Sequence, residues 1–156
     1  MSKIDTHTIL IIDDDTDDVE LFCETLAGIN GGIGCLSAGN GQEGLLLLKK
    51  TELLPDLIFL DLNMPRMNGK QCLKELKANE RFREIPVIIY TTSRIKDDMR
   101  ETMQLGASGF ITKPFRTADI RKAVIKILEK YQWVSGFILP LSFSFLSLLS
   151  PHYSCP

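Results

Sequence analysis

Asp13, Asp14, Asp61, Thr91 and Lys113 each follow a short apolar or β-branched run, and together they offer chemistry that none offers alone. The runs are TILII before Asp13-Asp14, LIFL before Asp61, PVIIY before Thr91 and FIT before Lys113. A lone aspartate at a strand end is most simply a turn cap. A carboxylate placed against a buried strand is costly unless something uses it, and here several runs end in a reactive group. Ends of parallel strands share one edge of a sheet, and that edge is where ligands bind in open α/β folds. Carboxylates crowded there repel one another and call for a cation. Oxygen ligands without sulfur or imidazole favour a hard ion such as Mg²⁺. A lysine and a hydroxyl beside such an ion suit phosphoryl transfer, where positioning and charge stabilisation do most of the catalysis. A carboxylate nucleophile would give an aspartyl phosphate.

The elements that must carry these residues can be read in order. Strands are predicted over 8–12, 34–38, 57–60, 86–90 and 110–112, the second of them weak. Helices are predicted over 16–27, 42–50, 71–78, 96–105 and 117–131. The last helix has the cleanest apolar face, with Ile120, Ala123, Val124, Ile127, Leu128 and Tyr131 at helical spacing. Acidic Asp15, Asp17 and Asp18 suit a helix start through the macrodipole alone. Residues 28–34 read as a glycine-rich loop and residues 79–84 as a charged, solvated one. Met99 and Met103, four apart, read as core packing. Strict alternation with short crossovers demands parallel strands with helices on both faces, which is a doubly wound α/β domain.

Bulk properties bound the rest. The 156 residues suffice for one domain with a proper core, and a net charge of −2 gives no electrostatic reason for a nucleic-acid partner. Cys23, Cys35, Cys72 and Cys155 form no CxxC pair and stand away from His7 and His152, so they read as scattered thiols in a reducing compartment. The N-terminus has no long apolar stretch of the secretory kind.

The motifs ILIIDDD, PDLIFLDLNMPRMNG, IPVIIYTTS and GASGFITKPF, at these intervals, resemble the receiver domain of two-component response regulators. The resemblance covers residues 8–131. It implies a flavodoxin-like five-stranded sheet of order 2-1-3-4-5, an order tabulated for this fold class rather than deduced from the residues. It implies a signalling protein and not an enzyme: Asp61 takes a phosphoryl group from a sensor histidine kinase in a Mg²⁺-dependent reaction. Asp13 and Asp14 match the acidic pair that holds the metal. Asn63 matches the position whose backbone carbonyl completes the metal shell. Thr91 matches the hydroxyl that turns toward the phosphoryl group, and Lys113 the lysine that pairs with its oxygens. Phe110 falls at the aromatic switch position, without the hydroxyl that many members carry there. The family presents its altered surface to a downstream protein around the fourth and fifth helices, sometimes as a homodimer. The opening DDDTDDVELF is similar to stand-alone receivers served by phytochrome-type kinases, which places the expected protein in the cytoplasm.

Two rivals are weaker. An aspartate-nucleophile phosphohydrolase wants a second acid two residues after the nucleophile, and Asn63 stands there. A receiver-like binding module without phosphorylation would be expected to lack some of Asp14, Asp61 and Lys113. The receiver is expected to span 1–131, leaving 132–156 as a charge-free tail rich in Phe, Leu and Ser. That tail is interrupted by Pro140 and is shorter in apolar length than the roughly 20 residues of a membrane span, so none is expected.

Overall fold

The computed structural model describes residues 6–134. Five parallel strands form one sheet: β1 (Thr8–Ile12), β2 (Gly34–Ala38), β3 (Leu57–Leu60), β4 (Val87–Thr91) and β5 (Gly109–Thr112), in the order β2-β1-β3-β4-β5. The helices between them are α1 (Thr16–Ile29), α2 (Gly41–Lys50), α3 (Gly69–Ala78), α4 (Lys96–Gln104) and α5 (Thr117–Lys130). The doubly wound architecture and the strand order agree with the expectation.

Strand runs that are apolar throughout bury both faces, as central parallel strands must. Leu57, Ile58, Phe59 and Leu60 are all fully buried. Their side chains alternate between two cores. Ile58 and Leu60 meet Leu48, Cys72, Leu73 and Leu76 of α2 and α3 on one face. Leu57 and Phe59 meet Phe22, Leu26, Val124 and Leu128 of α1 and α5 on the other. The starts of α1, α2 and α3 follow capping chemistry: Asp15 accepts from the N–H groups of Asp17 and Asp18, Asn40 from that of Glu43, and Asn68 with Gln71 forms a capping box.

Several expectations need correction. Met99 and Met103 are not core: they are 47% and 45% exposed, and Ile95 beside them is 61% exposed. Helical spacing places two residues on one face without saying which face docks, and α4 docks through Thr102, its one buried residue. Residues 79–84 are not simply a solvated loop. Phe82 is buried in the core, and the Arg81 guanidinium donates to the carbonyls of Leu48 and Thr51 at the end of α2. The cysteines are not all scattered thiols. Cys23 on α1 and Cys35 on β2 are disulfide-bonded, because the helix lies against that edge strand, while Cys72 is a buried thiol. Helix α1 also runs two residues beyond the predicted end, to Ile29.

Trp133 and Val134 pack against the α1–α5 core, and Trp133 stacks on His7 with ring centroids 4.2 Å apart. The remainder of the expected tail, 135–156, lies outside the described residues. Among the described residues no helix is long and apolar enough to cross a membrane.

Candidate functional site

Parallel register places the reactive residues together. Ile12 pairs with Leu60, and the next amide, that of Asp61, donates to the Ile12 carbonyl at 3.0 Å. Asp13 donates from its backbone to Ala38 at 3.0 Å, and Lys113 to Thr91 at 2.7 Å. Asp13, Asp61 and Lys113 therefore each occupy the first position past a strand, at the same end of the sheet. Carboxylate oxygens of Asp13, Asp14 and Asp61 lie within 4.8 Å of one another. Asp13 and Asp61 are buried, while Asp14 opens to solvent.

Lys113 threads into this cluster with its side chain 7% exposed. Its Nζ donates to Asp13 Oδ2 at 2.6 Å and to Asp18 Oδ2 at 2.7 Å, and stands 4.0 Å from Asp61 Oδ2. The Tyr90 ring lies beneath it, 5.5 Å from centroid to nitrogen. Burial works against the lysine charge, but the hydrogen bonds to Asp13 and Asp18 and the nearby carboxylates outweigh it and raise the Lys113 pKa. Burial pushes Asp13 up to about 6, against the lowering effect of Lys113 and of the Asp15 N–H. Burial also raises Asp61, opposed by Lys113, by the Thr91 side chain and by the N–H groups of Leu62 and Asn63. Two desolvated carboxylates held above their ordinary range are an electrostatic demand that a cation would relieve.

The loop after β3 shapes the surroundings of Asp61. The Leu62 N–H donates to Asp61 Oδ1 at 2.9 Å, fixing the carboxylate rotamer. Arg66 takes a positive φ of 67° as the chain turns toward α3. Gly69, the first residue of α3, crosses directly over the Asp61 backbone. Asn63, expected to offer its carbonyl to a metal, is exposed on this loop next to Asp61. Thr91 is fully buried, and its Oγ accepts from the Ser93 N–H at 3.3 Å. Phe110 is half-buried against the α2–α3 core and pairs in register with Ile89.

Three participants escaped the sequence reading. Asp18 looked like an ordinary first-turn acid, yet it bonds Lys113 across the site. Ser93 links Thr91 to α4: its N–H donates to the Thr91 hydroxyl oxygen and its own hydroxyl donates to Asp98. Lys70 at the start of α3 bridges Asp98, at 2.8 Å, and Glu101 of α4. Those bonds raise the Lys70 pKa and hold Asp98 below its ordinary value. The paired acids on α4 facing a lysine on α3 were in principle a signal, but only the docking of the two helices makes them partners.

Known proteins resemble this chain in sequence and in fold. The chemotaxis protein CheY of Pseudomonas aeruginosa is 30% identical over 122 residues, covering 78% of this chain and 96% of that protein. The probable C4-dicarboxylate response regulator DctR of Bacillus subtilis is 34% identical over 124 residues, covering 80% of this chain, which spans about half, 51%, of DctR's length. Among solved structures, the phosphorylated cyanobacterial phytochrome response regulator RcpA superposes with a TM-score of 0.75 at 29% identity, covering 83% of this chain and 94% of RcpA. The Mn²⁺-bound response regulator Rcp1 gives 0.73 at 29% identity, covering 86% and 99%. With the model of the response regulator receiver domain matched over residues 9–125, the chain belongs to that family of two-component signalling proteins.

Proposed function

We propose that Asp61 is the phosphoacceptor and that a phosphohistidine of a sensor histidine kinase is its donor. An Asp61 carboxylate oxygen forms a bond to phosphorus as the P–N bond breaks, and its electron pair stays on the imidazole nitrogen. The observation that carries this reading is the convergence of Asp13, Asp14 and Asp61 within 4.8 Å, with Lys113 buried among them. The donor set fits Mg²⁺: carboxylate oxygens, a neighbouring backbone carbonyl at Asn63, and a solvent-open side at Asp14 through which waters can complete the shell. When bound, that ion supplies charge neutralisation for the phosphoryl oxygens. Lys113 pairs with one phosphoryl oxygen, and Thr91 donates its hydroxyl to another. No second acid stands at Asn63 to activate a water, which disfavours a dedicated phosphohydrolase.

The resulting signal would leave through α4 and α5. Exposed Ile95, Met99, Met103 and Phe115, the last 91% exposed, give that side an apolar surface suited to a protein partner. The likeness to RcpA, a phytochrome response regulator, supports a kinase of the phytochrome type. The domain itself would be the 1–131 unit, with 132–156 carrying no phosphotransfer chemistry.

The test is intact mass after acetyl phosphate. Wild type with Mg²⁺ is expected to gain the mass of one phosphoryl group, whereas chelated protein and Asp61→Asn gain none. Labelling of the Asn variant at the wild-type level would move the acceptor elsewhere.

Phe110 is the proposed relay. When Thr91 turns its hydroxyl fully onto the phosphoryl group, space opens behind β4, and the half-buried Phe110 ring on β5 is placed to fill it. With no hydroxyl to desolvate, that inward state costs less than it would for tyrosine. Beryllofluoride with Mg²⁺ is expected to shift the Phe110 ring resonances together with the amides of Asp61 and Thr91. Unmoved ring signals, while Asp61 and Thr91 respond, would remove Phe110 from the route.

A further inference from the structure

Asp18 is the one carboxylate at the site that belongs to neither the metal cluster nor the acceptor position. It is the third residue of α1, and the helix macrodipole accounts for an acid there. The macrodipole does not account for its 2.7 Å bond to Lys113, which ties the start of α1 to the end of β5 across 95 residues of sequence. An ammonium has three protons to donate. In this structure one goes to Asp13 and one to Asp18, and Asp61 lies beyond hydrogen-bond distance at 4.0 Å. The two anchors are unlike. Asp13 is fully buried and lies in the cluster that could hold a metal; Asp18 has a side chain 36% exposed and lies outside it. A carboxylate committed to a metal is a weaker partner for an ammonium. Asp18 then remains as the anchor that keeps the Lys113 side chain over the strand ends.

We propose that Asp18 is the positioning residue for Lys113, holding its ammonium beside Asp61 by an anchor that does not compete with metal binding. The idea rests on Asp61 being the phosphoacceptor. Asp18 itself touches no reacting atom; it acts through the lysine. The consequence is that a change at Asp18 matters only while Lys113 is present.

The experiment uses the full chain in four forms: wild type, Asp18→Asn, Lys113→Met and the double variant. In metal-free wild type, an ammonium bound by two carboxylates exchanges slowly, so the Lys113 Nζ gives a resolved ¹H–¹⁵N signal, assigned by its loss in Lys113→Met. Asp18→Asn is expected to broaden or erase that signal while leaving the melting temperature close to wild type. Phosphorylation by acetyl phosphate in excess Mg²⁺ is expected to slow by about tenfold in Asp18→Asn, the size of one charge-assisted hydrogen bond on a partly exposed carboxylate. In the Lys113→Met background the same change should alter the rate by no more than about twofold, the scatter of independent sites. Equal slowing in both backgrounds would mean that Asp18 acts by its charge or by shaping α1, and would overturn the proposal. An unchanged Nζ signal in Asp18→Asn would overturn it equally. If wild type takes up no phosphoryl group, the phosphoacceptor reading fails by itself, and the Nζ signal still decides whether Asp18 holds Lys113.

Discussion

Gly69→Ala is expected to destabilise the domain by about 3 kcal/mol, the upper end of what overpacking costs. An alanine Cβ at this position would lie 2.1 Å from the Asp61 carbonyl oxygen, 2.8 Å from Leu62 Cα and 2.9 Å from the Asp61 carbonyl carbon. All three are backbone atoms, so no rotamer change relieves the clash. Either the first turn of α3 or the Asp61–Leu62 segment must shift. The helix is held by Cys72, Leu73 and Leu76, all fully buried, and the segment by the Asp61 N–H bond to Ile12. The Gly69 N–H also donates to the Leu62 carbonyl at 3.0 Å, and that bond would be strained. A loss of this size is a large share of the roughly 5–15 kcal/mol that stabilises a domain. Thermal melting should show a fall of about 10 °C. Uptake of phosphoryl should drop with it, because the displaced backbone carries Asp61, the proposed acceptor. Gly28→Ala is the control: its Cβ would meet only the Arg121 side chain at 3.5 Å, inside α1, where alanine is the better helix former by about 1 kcal/mol. If Gly69→Ala melts with wild type, the close approach is not the constraint it is taken to be.

The second large effect is in pH and metal. Metal-free protein is expected to become more stable as pH falls from 7 toward 5, opposite to the usual acid response. Burial raises the Asp13 pKa to about 6 from an ordinary 3.8, and raises Asp61 as well. Between those values the folded chain binds protons that the unfolded chain does not, so stability falls as pH rises through about 6. Asp13 alone is worth roughly 2–3 kcal/mol across the window. Lys113, with its pKa raised, stays protonated in both states there and leaves the slope unaffected. Mg²⁺ inverts the trend because its ligands must be ionised. At a hundredfold excess over its dissociation constant it adds about 2.7 kcal/mol near pH 7, and less as the carboxylates protonate. Melting temperatures between pH 5 and 7.5, in chelator and in excess Mg²⁺, should therefore converge at the acid end. Asp13→Asn should flatten most of the metal-free slope. A metal-free melting temperature that falls steadily below pH 7 would contradict this electrostatic account of the site.

Much of this protein is determined by its sequence alone. Apolar runs that end in Asp13, Asp61, Thr91 and Lys113 specify parallel strands, buried in β1, β3 and β4 and partly exposed at the edge in β5, and parallel register brings their ends to one edge whatever the details of the helices. That is why the carboxylate cluster and its lysine were legible in the sequence. Helix starts were legible to within two residues: α2 and α3 begin at Gly41 and Gly69, ahead of the expected 42 and 71, because Asn40 and Asn68 cap them. The rest was decided by how the elements dock. The spacing of Met99 and Met103 places them on one face of α4, but the choice of Thr102 as the buried contact turned that face to solvent. Asp18 and Lys113, Cys23 and Cys35, and Lys70 with Asp98 and Glu101 each join residues on different elements. Such pairs depend on the rotation of a helix about its own axis and on its height along the sheet. Packing sets both quantities through many weak contacts spread over the core, so no short stretch of sequence records them.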